Sequence, residues 1–364
     1  MESPLTHFKN LPDPRVDRCK DHLLEDIIFI AISGVICGAE GWNEIAEYGE
    51  AKEEWLKTFL QLPNGIPSHD TFNRVFSALN PVAFENSFLS WTASIAERTH
   101  GRVIALDGKS MRGSKKQGTK SAIHMVSAWC SENNMVLAQR KVDEKSNEIT
   151  AIPELLSILV LEGCIVTIDA MGCQTEIAES IIEKQADYIL AVKGNQGSLH
   201  EQIQDSFRFL KPTSTDTQTD LDHGRIESRT CRIINDLSMI EDKERWKALQ
   251  EIIEIESKRT IKASGETQTE KRYYITSLPE PADIIGKYVR KHWSIENSLH
   301  WILDMAFRED HSRKRNGNAA QNYSVLNRIA LNLLKNNKSV KVGVKGKRLV
   351  AGWDNKYLID LLKI

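Results

Sequence analysis

Three acids in this chain sit where an acid is costly to keep. Asp107 lies inside the apolar run "VIALDGKS", Asp169 ends "CIVTIDA", and Glu296 falls among Val289, His292, Leu299 and Leu303, which recur at helical spacing in "PADIIGKYVRKHWSIENSLHWILDMAF". A carboxylate withdrawn from water needs a cation or hydrogen-bond donors to meet it. Each acid has a structural reading of its own. Asp169 can cap the element that follows it, and Glu296 can pair with Arg290 or Lys291. Taken together they imply chemistry. If the first and fourth strands of a sheet are neighbours, Asp107 and Asp169 stand side by side, and like charges at that distance demand a counter-cation. Oxygen-only ligands suit Mg²⁺ or Mn²⁺. Two such ions activate water and stabilise the leaving oxygen of an in-line phosphoryl displacement.

The elements that position these acids follow from hydrophobic period. Residues 1–95 read as helices, with apolar residues three and four apart in "HLLEDIIFIAISGVI" and "GWNEIAEYGEAKEEWLKTFL". Ser68 is the expected N-cap of a further helix through Phe72, Val75, Phe76 and Leu79, stopped at Pro81. The region is an all-α N-terminal domain that either reads DNA as a helix-turn-helix or is simply a small helical domain. From residue 102 the period becomes that of strands, in the order β-β-β-α-β-α-β, which predicts a mixed α/β sheet. Residues 198–285 interrupt this order with two strand candidates, "HGRIESRTCRII" and "EKRYYITSLP", behind polar "KPTSTDTQTDLD". We expect a β-rich insertion there, inside a catalytic domain over residues 96–340. One long helix resumes at "PADIIG", and residues 341–364 read as a C-terminal tail.

Composition limits the remaining possibilities. The 364 residues carry a formal net charge of −2, with 41% hydrophobic and 27% charged residues, an ordinary balance for a globular protein. Nucleic-acid binding is therefore a question of where the charge lies. From Arg308 to Arg348 there are eleven Lys or Arg against two acids, and this segment, with Arg313, Lys314 and Arg315 at its head, is expected along DNA. The six cysteines contain no C-x-x-C pair, which argues against a zinc cluster or a disulfide framework and for a reduced, cytoplasmic protein. The most apolar stretch, "LLEDIIFIAISGVICG", is broken by Glu25 and Asp26 and is too short for a membrane span.

The blocks "ALDGKSMRGS", "TIDAMGCQ", "AVKGNQ", "HGRIESR" and "HWSIENSLHWILDMAFRED" resemble, in order and spacing, those of the DDE transposases of bacterial insertion sequences, in the group that includes the H-repeat-associated proteins. The resemblance covers nearly the whole chain. It implies a ribonuclease H-like core and a metal-dependent enzyme, with two Mg²⁺ or Mn²⁺ ions, that cleaves element ends and transfers the strand into target DNA. It matches Asp107, Asp169 and Glu296 to the catalytic and metal-binding acids. It also implies double-stranded DNA as partner, a homodimer on DNA, and a cytoplasmic, nucleoid-associated site of action. One departure stands out. Related insertion-sequence enzymes flank the Glu with a Tyr, an Arg and a Lys, and those offsets here hold Val289, His292 and Leu303. Arg290, His292 and His300 are the candidates to replace them. Lys109, Lys193, Asn195 and Gln196 complete the expected DNA contacts, although Lys193 to Gln196 equally read as a helix-capping turn. The alternatives are a structure-selective nuclease on the same fold, or a DNA-binding remnant that no longer cuts.

Overall fold

A computed structural model describes residues 3–96, 101–115, 122–142, 147–222 and 224–364. Five helices come first, α1 (Leu24–Ile36), α2 (Trp42–Ala51), α3 (Glu53–Leu56), α4 (His69–Ala78) and α5 (Pro81–Ile95). Strands β1 (Val103–Met111), β2 (Ile123–Cys130) and β3 (Met135–Lys141) follow, then α6 (Glu148–Ile158), β4 (Ile165–Ile168), α7 (Thr175–Glu183), β5 (Asp187–Val192) and α8 (Gly197–Phe209). Next are β6 (Ser214–Asp222), β7 (Arg225–Ile234), β8 (Glu251–Ile261) and β9 (Thr267–Thr276). Helices α9 (Ala282–His292), α10 (Trp301–Phe307), α11 (Ala319–Asn336), α12 (Val344–Trp353) and α13 (Asn355–Leu362) close the chain. Among the described residues no helix is long and apolar enough to cross a membrane.

The chain forms two compact units, one of residues 1–98, 108–145 and 296–364, the other of residues 99–107 and 146–295. The second unit is built on a mixed sheet in the order β1-β4-β5-β9-β8-β7-β6. Its β1, β4 and β5 are parallel, with Leu106 opposite Ile168 and Ile168 opposite Leu190. The short crossover through α7 is what a parallel β4–β5 pair requires. Antiparallel β9 adds to β5, placing Ile189 against Thr276, and three antiparallel ladders carry the sheet outward. Helix α9 packs on this sheet through Ala282, Ile285 and Val289, which share a buried cluster with Val103, Ile165 and Ile189.

The expected insertion thus contains four strands where the sequence suggested two, and they extend the sheet. Strand β6 was hidden because it is an edge strand, and "STDTQTDLD" has no apolar face to reveal a period of two. Strand β8 begins with the buried run Ile252 to Glu256 and then turns Lys258 and Arg259 to solvent, so its pattern changes midway.

The first unit is organised around α11, whose residues 319–334 are all buried. Helices α1, α4, α5, α10, α12 and α13 and strand β3 pack against it. Two of its buried asparagines, Asn322 and Asn332, are matched to backbone groups of neighbouring elements. Asn322 donates to the carbonyls of Phe76 (2.8 Å) and Leu79 (3.0 Å) at the end of α4. The β2–β3 register slips beside Leu137, and next to the slip Asn332 acts as a strand partner. It accepts from the Val136 amide at 2.8 Å and donates to the Val136 carbonyl at 2.9 Å.

One expectation gains detail here and another changes. The C-terminal tail expected over residues 341–364 carries helices α12 and α13. The basic segment from Arg308 to Arg348 is not one DNA-facing surface, because α11 fills its middle and Lys314, Arg328, Lys347 and Arg348 are buried. Arg348, for example, donates to the carbonyls of Val35 and Ala39. Charge counted along the chain does not distinguish such interior staples from a surface.

Candidate active site

In the second unit the ladder from Val103–Ile165 to Leu106–Ile168 is in parallel register, so Asp107 and Asp169 take the next position on each of two adjacent chains. Neighbouring strands lie roughly 4.8 Å apart. Both acids are half-buried. Asp169 caps the one-turn 3₁₀ helix Ala170–Gly172, its Oδ1 accepting from the Met171 amide at 3.0 Å. Burial, then the nearby Glu148 carboxylate, pushes the Asp169 carboxyl above its ordinary value, while the Met171 and Gly172 amides and Lys193 pull it back. The capping and chemical readings of Asp169 are therefore compatible. The cap orients a carboxylate that burial leaves short of positive charge.

Sequence determines the shape of that turn. A Cβ on Gly172 would stand 2.3 Å from Cγ2 of Ile168 and 2.9 Å from Cδ1 of Ile152, so the turn can lie this close to the sheet only with glycine there. The "KGNQ" block closes over it. Asn195 Nδ2 donates to the Ala170 carbonyl at 2.6 Å and Gln196 Nε2 to the Cys173 carbonyl at 2.9 Å. These two amides, expected at DNA phosphates, bracket the residues that follow Asp169. The sequence signal was present: two amide side chains directly after a buried strand are as suited to holding a neighbouring loop as to holding a phosphate. Lys193 is exposed, and it lines a pocket of about 60 Å³ with Asp169, His200, Arg272 and His292.

His292 and Arg290 divide. The His292 ring is buried and tied through Nδ1 to Thr167 Oγ1 at 2.9 Å, joining α9 to β4. Burial pushes its pKa down to about 4, so it offers a neutral ring and not a cation for phosphate. Arg290 is exposed and pairs with Asp220 at 3.0 Å. It lines a pocket with Arg229, Arg272 and Trp293, in which the Arg272 guanidinium stands 4.2 Å from the Trp293 ring centre.

The first unit holds the remaining candidates. Glu296 opens a π-helical turn, Glu296–His300, and its side chain is 56% exposed. The continuous helix expected from residue 281 is interrupted: α9 stops at His292, Trp293 forms a turn, and α10 begins only at Trp301. Ile295, one position earlier, is buried where Glu296 was expected. Burying isoleucine is favourable and burying a carboxylate is costly, so the chain adjusts its phase to turn the acid outward. Nδ1 of buried His300 lies 3.6 Å from Glu296 Oε2. Burial first, then Arg328 and Lys109, holds the His300 imidazole down to about 3.

Lys109 and Lys314, also expected at DNA, are both buried. Lys109 is buried and bound by Asp304 at 2.7 Å and Asp310 at 3.1 Å. Lys314 donates to the Glu40 carbonyl at 2.6 Å and stands 3.4 Å from the Tyr323 ring centre; burial pushes its pKa down to about 8. Arg313 and Arg315 remain exposed, the latter donating to the Gly113 carbonyl at 3.0 Å.

Comparison with known proteins gives these residues a context. The Transposase DDE domain matches residues 98–333, and a DDE_Tnp_1-associated domain matches residues 5–92. The chain belongs to the DDE transposase family, in the group that includes the H-repeat-associated proteins. It is 44% identical over its full length to a putative transposase, YncI of Escherichia coli O157:H7, and spans 95% of that protein. It is 39% identical, again over its full length, to the H repeat-associated putative transposase YhhI of Escherichia coli K12, of which it spans 98%. A solved structure of a piggyBac transposase synaptic complex with hairpin DNA aligns with a TM-score of 0.47 and 11% identity, covering 100% of this chain and 81% of that one.

Proposed function

We propose that this protein is an active DNA transposase on a ribonuclease H-like core, which cleaves the strands at element ends and joins the freed 3′-OH to target DNA. In this reading Asp107, Asp169 and Glu296 act as one carboxylate set. The observation that carries it is the parallel β1–β4 register, in which Leu106 opposite Ile168 brings Asp107, within β1, beside Asp169 at the end of β4. Family membership supports the same assignment.

The donor set fits a hard divalent cation, since all three side chains offer oxygen. The raised carboxyl of Asp169 describes a group that such a cation would relieve. When bound, a pair of Mg²⁺ or Mn²⁺ ions would supply an activated oxygen nucleophile and stabilise the leaving oxygen. The protein's own contribution is positional. Strand β1 holds Asp107 and the end of β4 holds Asp169, the Met171 amide orients the Asp169 carboxylate, and Asn195 and Gln196 fix the turn behind it. Exposed Lys193 offers a phosphate a cation beside Asp169, and Arg290, Arg313 and Arg315 are exposed cations that can meet DNA as well. Two protomers pair on DNA in the cytoplasm, at the nucleoid, because two element ends must be cut and joined together.

The test uses end-labelled duplex from the flanks of the element, incubated with Mg²⁺ and with chelator. Strand cleavage that requires the metal, followed by joining to a second duplex, supports the reading. Cleavage without joining would identify a nuclease, and binding without cleavage a remnant.

A further inference from the structure

The π turn from Glu296 to His300 brings a nitrogen donor to an acid that the metal site already claims. The separation of His300 Nδ1 from Glu296 Oε2 is 3.6 Å, too long for a hydrogen bond. Two donors bound to one ion at roughly 2.1–2.2 Å stand about 3.0–3.7 Å apart for bond angles of about 90–120°. The spacing therefore suits a shared ion. Exposure points the same way, since the His300 side chain is 7% exposed and that of Glu296 is 56% exposed. A ring fixed in the wall meets a carboxylate at the solvent boundary, so an ion can arrive from water and find one ligand preset. The two cations that bear most on His300 have carboxylate partners of their own. Lys109 is held by Asp304 and Asp310, and Arg328 by Glu309 at 2.7 Å.

We infer that His300 is a metal ligand alongside Glu296, giving the carboxylate site one imidazole donor. This rests on the reading that Glu296 holds a metal ion. The consequence is selectivity. Carboxylates accept Mg²⁺, Ca²⁺ and Mn²⁺ alike, whereas an imidazole favours the transition metals. The protein should bind Mn²⁺ and Co²⁺ more tightly than Mg²⁺, and His300 should be the reason.

The experiment uses the full chain without DNA and Mn²⁺ alone as the probe. Free Mn²⁺ is counted by electron paramagnetic resonance, and the bound ion is examined for spin-echo modulation from a coordinated imidazole nitrogen. Wild type should show the nitrogen modulation, and His300→Ala should lose it, with Mn²⁺ affinity lowered about tenfold or more and Mg²⁺ affinity, read by competition, changed by less than about threefold. His300→Asn should retain Mg²⁺ binding and still lack the nitrogen signal. Glu296→Gln should weaken the same Mn²⁺ site. A wild-type spectrum without nitrogen coupling overturns the inference, even if His300→Ala fails to fold. So does coupling that persists in either His300 variant, or Mn²⁺ binding indifferent to Glu296→Gln. Nitrogen-coupled Mn²⁺ in a protein that never cuts DNA would defeat the proposed function and leave this inference standing.

Discussion

Asp169 and Glu296 are assigned the same task and are held in opposite ways. Asp169 stands at the end of a buried parallel strand, caps its own turn, and is flanked by a glycine no other residue could replace and by two amides that clamp the backbone. Glu296 is exposed at the start of a wide helical turn, with one histidine beside it. The contrast indicates that one acid is fixed by the backbone and the other by the side chains around it. A strand end next to a sheet cannot move without losing ladder hydrogen bonds. A π turn spans one residue more than an α turn and commonly marks a functional position in a helix.

The sharpest challenge to that contrast is removal of charge without change of shape. Asp107→Asn, Asp169→Asn and Glu296→Gln should each lower DNA cleavage by about 10³-fold or more, because every carboxylate is required to hold the ions. Circular dichroism should be unchanged in all three. End-labelled cleavage rates are the measurement. If Glu296→Gln cleaves like wild type while the two Asp variants are dead, the exposed acid is not part of the set.

The contrast also decides what could be read from sequence. Strands β1, β4 and β5 were legible because buried parallel strands are continuous apolar runs, and an acid that ends such a run is conspicuous. Ser68 was legible as a cap, and it does accept from the Thr71 amide at 3.3 Å. Glu296 was assigned through its block, but its orientation was missed: Ile295 and Glu296 fit the stripe almost equally, and only the cost of desolvation chooses between them. Strand β6 was illegible for the opposite reason, since an edge strand made of Thr, Asp and Gln needs no apolar face. Lys109, Lys314, Arg328 and Arg348 share a position that sequence does not reveal. Each is a cation by composition and an interior hydrogen-bond donor by position. Their partners are backbone carbonyls and carboxylates distant in sequence, which no local pattern reports.

A second challenge tests the buried ion pair whose cation acts on His300. Arg328 and Glu309 are fully buried, 2.7 Å apart, and Asn327 also reaches Glu309 at 3.4 Å. Arg328→Ala leaves that carboxylate buried without its cation and should cost about 3–5 kcal/mol. The midpoint of urea unfolding should fall accordingly. Arg328→Met combined with Glu309→Leu should recover most of the loss, because removing both charges also removes their desolvation penalty. A double variant no more stable than the single one would mean that the pair does more than balance charge.

A smaller effect is expected at the clamp. Asn195→Ala removes the donor to the Ala170 carbonyl and should cost about 1 kcal/mol of stability, yet its larger mark should be on activity. A turn free to shift carries Asp169 with it, so cleavage should fall while DNA affinity, measured by anisotropy, stays within about twofold. Hydrogen exchange of the Met171 and Gly172 amides should quicken at the same time. Weaker DNA binding with unchanged exchange would return Asn195 to the role of phosphate contact.

The smallest effect concerns stability alone and has a definite sign. The Asp169 carboxyl is raised above its ordinary value in the folded protein, with burial as the largest cause and Glu148 the next. Below the unfolded-state value near 3.8 the group is protonated in both states and carries no penalty. As pH rises, the unfolded chain ionises first, so the folded state loses stability until the folded group has ionised as well. Asp169→Asn abolishes this dependence and keeps an oxygen to accept from Met171, so its melting temperature should exceed that of wild type at pH 7 without added metal. The difference should close as pH is lowered through the carboxylate range. It should also close from the other side when Mg²⁺ is added to wild type, because a bound cation supplies the charge that burial withholds. Melting curves from pH 3 to 8, with and without Mg²⁺, measure both limbs. A gap that stays constant with pH would mean that Asp169 acts only as a cap.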